Sequence, residues 1–214
     1  INSGEIVALI QNQNLAAVII ASHQRQGKGR RDRIWKSEEL SSFTWSFVIP
    51  RIKGNEQAQV RLIISSVVEV LNSQGIGAKI KWPNDLVIED SQLYKKLGGV
   101  LTQAHDKFLV VGVGINVKSK FFDDEILNTA TSLEEAGYFQ SEEDTLNEII
   151  DLILKQNLDE VFVVYKTLLC TLGKNVRVEQ INGEFTGKAI DVNFDGELVL
   201  DVDGEIKKVS EGDV

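Results

Sequence analysis

KWPNDLVIEDSQLYKKLGGVLTQAHDKFLVVGVGINV, residues 81–117, decides the architecture. LVIED (86–90), KKLGGVLTQA (95–104) and KFLVVGVGINV (107–117) are apolar runs of strand length, predicted as three neighbouring strands. Ala78 to Trp82 reads as a short strand that leads into Pro83, Asn84 and Asp85. Glycines at 98, 99, 112 and 114 interrupt two of these strands. Glycine weakens a strand, so four of them call for a reason, and close approach of a ligand to the backbone is one. Lys95 and Lys96 open the middle strand, and strand alternation sends them to opposite faces.

Upstream, residues 5–14 place Ile6, Leu9 and Ile10 at helical spacing. LAAVIIA (15–21) reads as a strand covered on both faces. SSFTWSFVIP (41–50) reads as another, with Phe43, Trp45 and Phe47 on one face. Residues 56–74 predict a helix with a stripe of Val60, Ile63, Ile64, Val67, Val68 and Leu71, ended by Gly75. Downstream, ATSLEEAG (130–137) carries capping-box spacing for a helix start, and residues 146–169 predict helix with one break. After Cys170 the texture changes to short alternating strands separated by Asn-Gly and two Asp-Gly dipeptides, which are hairpin signals. Residues 1–170 are therefore expected to form one domain and residues 171–214 a small β-barrel-like one. That second domain shows no convergent titratable cluster; it is expected not to be catalytic, but to pack beside the first and help position ATP or the acceptor protein.

The chain has 214 residues, 43% of them hydrophobic, and a formal net charge of −9. That balance argues against a general nucleic-acid binder, whose footprint is a broad basic face. One cysteine excludes an internal disulfide and a cysteine-based metal site. No apolar run reaches membrane-spanning length, no secretory signal is visible, and the cytoplasm is the expected compartment. The chain lacks Met and opens at Ile1, so it reads as part of a longer protein.

Against this acidity, QRQGKGRRDRIW (24–35) is a local exception. Lys28, Arg30, Arg31 and Arg33 surround Gly27 and Gly29, which let the backbone turn tightly. Such a loop could converge on one polyanion, or be a solvated segment that pairs with acids elsewhere. It is neither a P-loop nor a GxGxxG turn. Asn84 and Asp85 at a strand end could hold a metal ion or orient a nucleophile, or form an ordinary proline-containing turn. Asn116 has a turn-forming reading beside a functional one. Trp82 reads as core, His23 as structural, and Cys170 as a small buried hydrophobe. No nucleophilic triad is supported.

Taken in order, HQRQGKGRRDRIW, KWPND, KKLGGVL and GVGINV resemble the motifs of the biotin protein ligase family, whose first loop is similar to Q-x-x-G-R-G-R-x-G-R-x-W. ATSL (130–133) and the small C-terminal domain fit as well. The resemblance spans almost the whole chain. It implies an α+β fold of class II synthetase-like, biotin/lipoate ligase type: a mixed central β-sheet with helices on one side, then an SH3-like barrel. It implies ATP- and Mg²⁺-dependent activation of biotin to biotinyl-5'-AMP, and transfer to a lysine of a biotin carboxyl carrier domain. A homodimer is a further expectation; membrane and nucleic acid are not expected partners of this portion. Two alternatives stand beside it: a lipoate or other acyl ligase, and a regulator that senses the adenylate without transferring it.

By position, the resemblance assigns biotin contacts to Gln24, Gly27, Lys28, Arg30, Lys96, Gly99, Gly112 and Gly114. It assigns the nucleotide to Arg30, Arg31, Arg33, Trp35, Asn84, Asp85, Lys96 and Asn116. Catalysis would rest on Lys96, Arg30 and Asp85, with Asp85 assisting Mg²⁺ that is held mainly by ATP phosphates. Three departures stand out. Lys28 replaces an arginine, so a fork becomes a point charge. Asp32 replaces a glycine and adds negative charge. Only Asn2 and Ser3 remain of a Ser-Thr-Asn stretch.

Overall fold

The computed structural model describes residues 16–37, 41–90, 93–118, 126–180 and 183–214. The predicted helix over 5–14 and the Asn2–Ser3 pair lie outside these residues. Strands β1 (Ala17–Ile20), β4 (Ser42–Pro50), β5 (Ala78–Lys81), β6 (Asp85–Asp90), β7 (Leu93–Ala104) and β8 (Phe108–Asn116) form a six-stranded sheet in the order β1-β4-β8-β7-β6-β5. All pairings of these strands are antiparallel; two isolated bridges, Ile80–Leu169 and Lys96–Ala130, run parallel. The basic stretch is not a plain loop. It folds as a separate antiparallel ribbon, β2 (Gln24–Lys28) and β3 (Ile34–Ser37), around a 3-10 turn at Arg30–Asp32.

One sheet face is covered by helices. α1 (Glu56–Ser73) buries Ile63, Ile64, Val67, Val68 and Leu71, the predicted stripe, against Trp45, Phe47, Leu86, Leu97 and Ile115. Gly75 ends it in a left-handed conformation (φ +85°). The long helical region breaks at residues 156–157 into α2 (Glu142–Lys155) and α3 (Leu158–Leu168). Each start is capped, by Ser141 accepting from the Asp144 N–H and by Asn157 accepting from the Asp159 N–H. ATSLEEAG makes a single turn rather than a helix. Ser132 Oγ accepts from Glu135 N–H at 3.2 Å, and Gly137 (φ +78°) reverses the chain at once.

Trp45 Nε1 donates to Glu142 Oε1 at 2.9 Å. Burial raises the Glu142 pKa, and the Trp45 bond only partly opposes this. A carboxyl whose pKa is raised on folding adds stability at low pH that is lost as pH rises through that pKa. Glu142→Gln keeps an acceptor for Trp45 and removes the charge. Its urea midpoint should therefore gain on the parent between pH 4 and pH 7, and a constant difference would count against the desolvation argument.

Residues 171–214 form β9 (Asn175–Gln180), β10 (Gly183–Val192), β11 (Leu198–Val202) and β12 (Glu205–Val209) in the order β12-β11-β10-β9. Asp203 and Gly204 both take positive φ (53° and 88°), as a two-residue hairpin turn demands. Glu179 and Asp213 exchange two backbone hydrogen bonds, 2.9 and 3.1 Å. The chain after the last strand thus reaches the first, which closes the sheet on itself.

Of the four strand glycines, Gly98 answers to packing alone. A Cβ there would lie 2.2 Å from the Gly114 carbonyl oxygen, a backbone atom that cannot swing away. Gly98→Ala should cost about 1–3 kcal/mol of unfolding free energy, the usual cost of overpacking. Equilibrium urea unfolding reads this directly.

Candidate active site

A register shift builds the site. In the β6–β7 pair Asp85 faces Gly99 and Leu86 faces Gly98, but Val87 faces Lys96. Leu97 is the extra residue of a bulge, and a bulge re-aims the side chains beyond it. Simple alternation would put Lys96 on the side of Gly98. The bulge puts it instead on the side of Asp85 and Gly99. Gly99 in turn pairs with Gly114, and Leu101 with Gly112. Asp85, Lys96, Gly99, Gly112 and Gly114 therefore share one face, opposite the face of Leu86 and Leu97 that packs into the main core.

The glycines leave this face bare. A Cβ at Gly99 would stand 3.5 Å from Asp85 Oδ1 and 3.8 Å from Lys96 Cε. At Gly114 it would meet the Trp35 ring at 2.7 Å, so the indole lies directly on that glycine. Trp35 Nε1 is buried with no hydrogen-bond partner among the described residues. Gly27 is needed for the ribbon itself, since a Cβ would come 2.3 Å from the Trp35 carbonyl oxygen and 2.9 Å from Gln24 Oε1.

Lys96 Nζ donates to Asp85 Oδ1 at 2.6 Å, with both side chains still in reach of solvent. Lys95, facing the other way, takes no part in this pair. Asn84 Nδ2 donates to the Val100 carbonyl at 2.7 Å, and Asn84 Oδ1 accepts from Arg30 at 3.2 Å. Asn84 therefore ties the cationic ribbon to the sheet. Asn116 Nδ2 donates to the carbonyls of Thr131 (3.2 Å) and Lys96 (3.4 Å). It anchors the turn after Ala130 and the Lys96 backbone, so its amide serves the framework of the site.

Of the two readings of the basic stretch, pairing with an acid elsewhere in the chain is the one seen. Asp213 pairs with three of the ribbon's four arginines: Arg31 at 3.2 Å, Arg30 at 3.9 Å, and Arg33 in the shortest contact. Arg30 also donates to the Gly212 carbonyl at 3.2 Å, and Arg31 to the Glu179 carbonyl at 3.1 Å. Arg31 sits at φ 53°, an uncommon backbone for a side-chain-bearing residue, and this turns neighbouring cations toward one acceptor. Burial lowers the Arg30 pKa, Asp213 opposes that, and Arg31 adds to it. The C-terminal segment therefore reaches the ribbon through Asp213 and the carbonyls of Glu179 and Gly212. Nothing in the local pattern EGDV marks Asp213 as a partner of residues some 180 positions earlier.

Two clefts flank the cluster. One of about 190 Å³ is lined by Arg33, Lys81 to Asp85, Glu179, Asp213 and Val214. A wider one of about 450 Å³ is lined by Lys28, Gly29, Arg30, Arg31, Leu101, Thr102, Gln103 and Glu211. The first mixes cations and carboxylates; the second carries Lys28, Arg30 and Arg31 with Glu211. No group of three or more His, Cys, Asp or Glu side chains able to hold a metal occurs among the described residues. His23 and Cys170 lie outside the assembled set, and burial raises the Cys170 thiol pKa. Among the same residues no helix is long and apolar enough to cross a membrane.

Known proteins resemble this chain over most of its length. Residues 8–118 match the Biotin/lipoate A/B protein ligase family, and residues 171–214 match the Biotin protein ligase C terminal domain. The chain is 31% identical over 215 residues to the biotin–[acetyl-CoA-carboxylase] ligase of Mycobacterium tuberculosis, covering 92% of this chain and 77% of that protein. It is 29% identical to the bifunctional ligase/repressor BirA of Bacillus subtilis, covering 92% of this chain and 65% of that protein. The chain thus spans just under two thirds of such bifunctional relatives. Among solved structures it resembles the biotin protein ligase from Aquifex aeolicus in complex with biotin and ATP. That match has a TM-score of 0.77 and 26% identity, and covers 96% of this chain and 91% of that one. With both family models matched and a ligase 31% identical over most of both chains, the chain belongs to the biotin/lipoate A/B protein ligase family, on its biotin protein ligase branch.

Proposed function

We propose that this chain activates biotin with ATP and transfers it to a specific lysine of a biotin carboxyl carrier domain. The observation that carries this reading is the cationic set Arg30, Arg31, Arg33 and Lys96 gathered beside a glycine-rich sheet face in a protein of net charge −9. The glycine face at Gly99 and Gly112, beside the Trp35 indole that lies on Gly114, admits a ring system close to the backbone. The cations receive the two anions that must meet.

In the first step a biotin carboxylate oxygen forms a bond to the α-phosphorus of ATP. The bond from that phosphorus to the β-phosphate bridging oxygen breaks, and pyrophosphate leaves. Repulsion between the two anions is part of the barrier, and Lys96 with the ribbon arginines lowers it where charge develops. Mg²⁺ fits as an ion carried in by the triphosphate, because Asp85 is a lone carboxylate and Mg²⁺ is commonly held by one or two carboxylates plus phosphates. In the second step the neutral acceptor amine attacks the biotinyl carbonyl carbon, the bond to AMP breaks, and the nitrogen loses its proton. The ribbon over Gly114 keeps water from the mixed anhydride between the steps. A lone cysteine and no need for disulfides suit the cytoplasm.

Incubation with biotin, MgATP and an apo carrier domain, followed by mass measurement of the carrier, tests this. One added biotinyl group on one lysine is expected. Preference for lipoate in pyrophosphate release, or adenylate formation without transfer, would overturn it in favour of an acyl ligase or a regulator.

A further inference from the structure

Arg61 is a cation on the core-facing side of α1, only 4% exposed. Its neighbours along that helix are Ile63, Ile64, Val67 and Val68, all buried and apolar. A buried charge needs compensation, and an apolar residue of similar volume is often no worse for stability. The guanidinium lies 4.7 Å from the Phe162 ring centroid and 5.6 Å from that of Tyr165, both on α3. Its Nη2 donates to the carbonyls of Asn193 (3.0 Å) and Phe194 (2.5 Å), in the turn between β10 and β11. Phe194 itself stacks on Phe162, with centroids 4.2 Å apart. Arg61 therefore fastens the C-terminal barrel to α1 by one turn.

That turn is internally tight. Asn193 N–H donates to the Glu197 carbonyl, and Asn193 Oδ1 accepts from Glu197 N–H at 2.9 Å. Gly196, at φ +85°, has its missing Cβ 3.0 Å from Gln57 Oε1 of α1, so the turn sits close against the helix. The Gly196 carbonyl accepts from Trp82 Nε1 at 2.9 Å, and Thr171 Oγ1 accepts from Trp82 N–H at 2.9 Å. Trp82 is thus held at ring and backbone by residues of the C-terminal segment. Pro83, Asn84 and Asp85 follow it directly.

We propose that Arg61 is a positioning residue: through the β10–β11 turn it sets Trp82, and through Trp82 it sets the Asn84–Asp85 end of the site. This rests on the proposed function, since Asn84 and Asp85 are there the nucleotide-side residues. The glycine pairs Gly99–Gly114 and Leu101–Gly112 belong to the β7–β8 ladder, which Arg61 does not touch, whereas Lys96 is held by Asp85. Loss of Arg61 therefore disturbs the nucleotide steps more than biotin binding.

The test uses the full chain with Arg61→Leu, Arg61→Met and Arg61→Lys. Hydrogen exchange of the tryptophan indole N–H groups is read by NMR, with Trp45, bonded to Glu142, as internal control. In the leucine and methionine variants Trp82 exchange should speed up by at least about tenfold, while Trp45 is unchanged. KM for ATP in biotin-dependent pyrophosphate release should rise about tenfold, with the calorimetric Kd for biotin within about twofold of the parent. Lysine, which can still reach a carbonyl, should restore part of both. Unchanged Trp82 exchange overturns the anchoring. Faster Trp82 exchange with unchanged nucleotide constants overturns the positioning role. Parallel loss of biotin affinity, with Trp45 exchange also faster, marks a merely structural residue and overturns it too. If the parent chain releases no pyrophosphate with biotin, the proposed function fails and the positioning role with it. The exchange data still decide whether Arg61 holds the turn.

Discussion

Lys96→Ala is expected to slow biotinyl-adenylate formation by about 10²- to 10³-fold, the range seen when one preorganised donor to developing charge is removed. Lys96 is the cation that shares the bare sheet face with Gly99, Gly112 and Gly114. It is held 2.6 Å from Asp85, so that carboxylate fixes its position. Alanine leaves Asp85 without that partner, but Asp85 keeps access to water, which limits the cost to stability. The variant should therefore unfold at a urea concentration near that of the parent. Pre-steady-state pyrophosphate release with saturating biotin and MgATP is the measurement. A folded variant with near-parental release would remove Lys96 from the chemistry.

Arg30→Ala is expected to act on the intermediate rather than on its formation alone. Arg30 bridges Asn84 on the sheet, Gly212 in the terminal segment and the Asp213 carboxylate. A hydrogen bond to a charged group contributes about 1.5–3 kcal/mol, so escape of the bound adenylate should speed up about 10- to 100-fold. The half-life of enzyme-bound adenylate, followed after rapid removal of free ATP and biotin, reads this. An unchanged half-life would separate Arg30 from retention. The arginines do not wait unpaired for a phosphate, because Asp213 already occupies them. Ligand binding on this view exchanges one anion for another. Ordering a free loop from nothing is not required.

Much of this molecule was legible in its residues. The α1 stripe buries almost as spaced, because an 18-residue helix with one apolar face has one way to lie on a sheet. Strands around 43–50, 86–90, 95–104 and 108–116 were legible because apolar runs bounded by turn residues have few other uses. The motifs themselves, Gln24 to Trp35, KWPND, KKLGG and GVGIN, were enough for the family, since each is a local string. One break in the long helical region was also expected, although neither its place at residues 156–157 nor its capping by Asn157 was.

What the sequence could not reveal is everything that depends on residues distant along the chain. Alternation puts Lys96 with Gly98, and only the bulge at Leu97, visible in the pairing with β6, moves it beside Asp85 and Gly99. The ribbon in place of a loop, Asp213 among the arginines, and Arg61 on the β10–β11 turn are likewise decided by tertiary structure. The physical reason is common to all of them. Periodicity reports which face of its own element a residue occupies, because that depends on backbone geometry a few residues wide. Which charge meets which depends on where whole elements stack, and a carboxylate at position 213 finds its guanidinium partners only after the barrel has closed and docked.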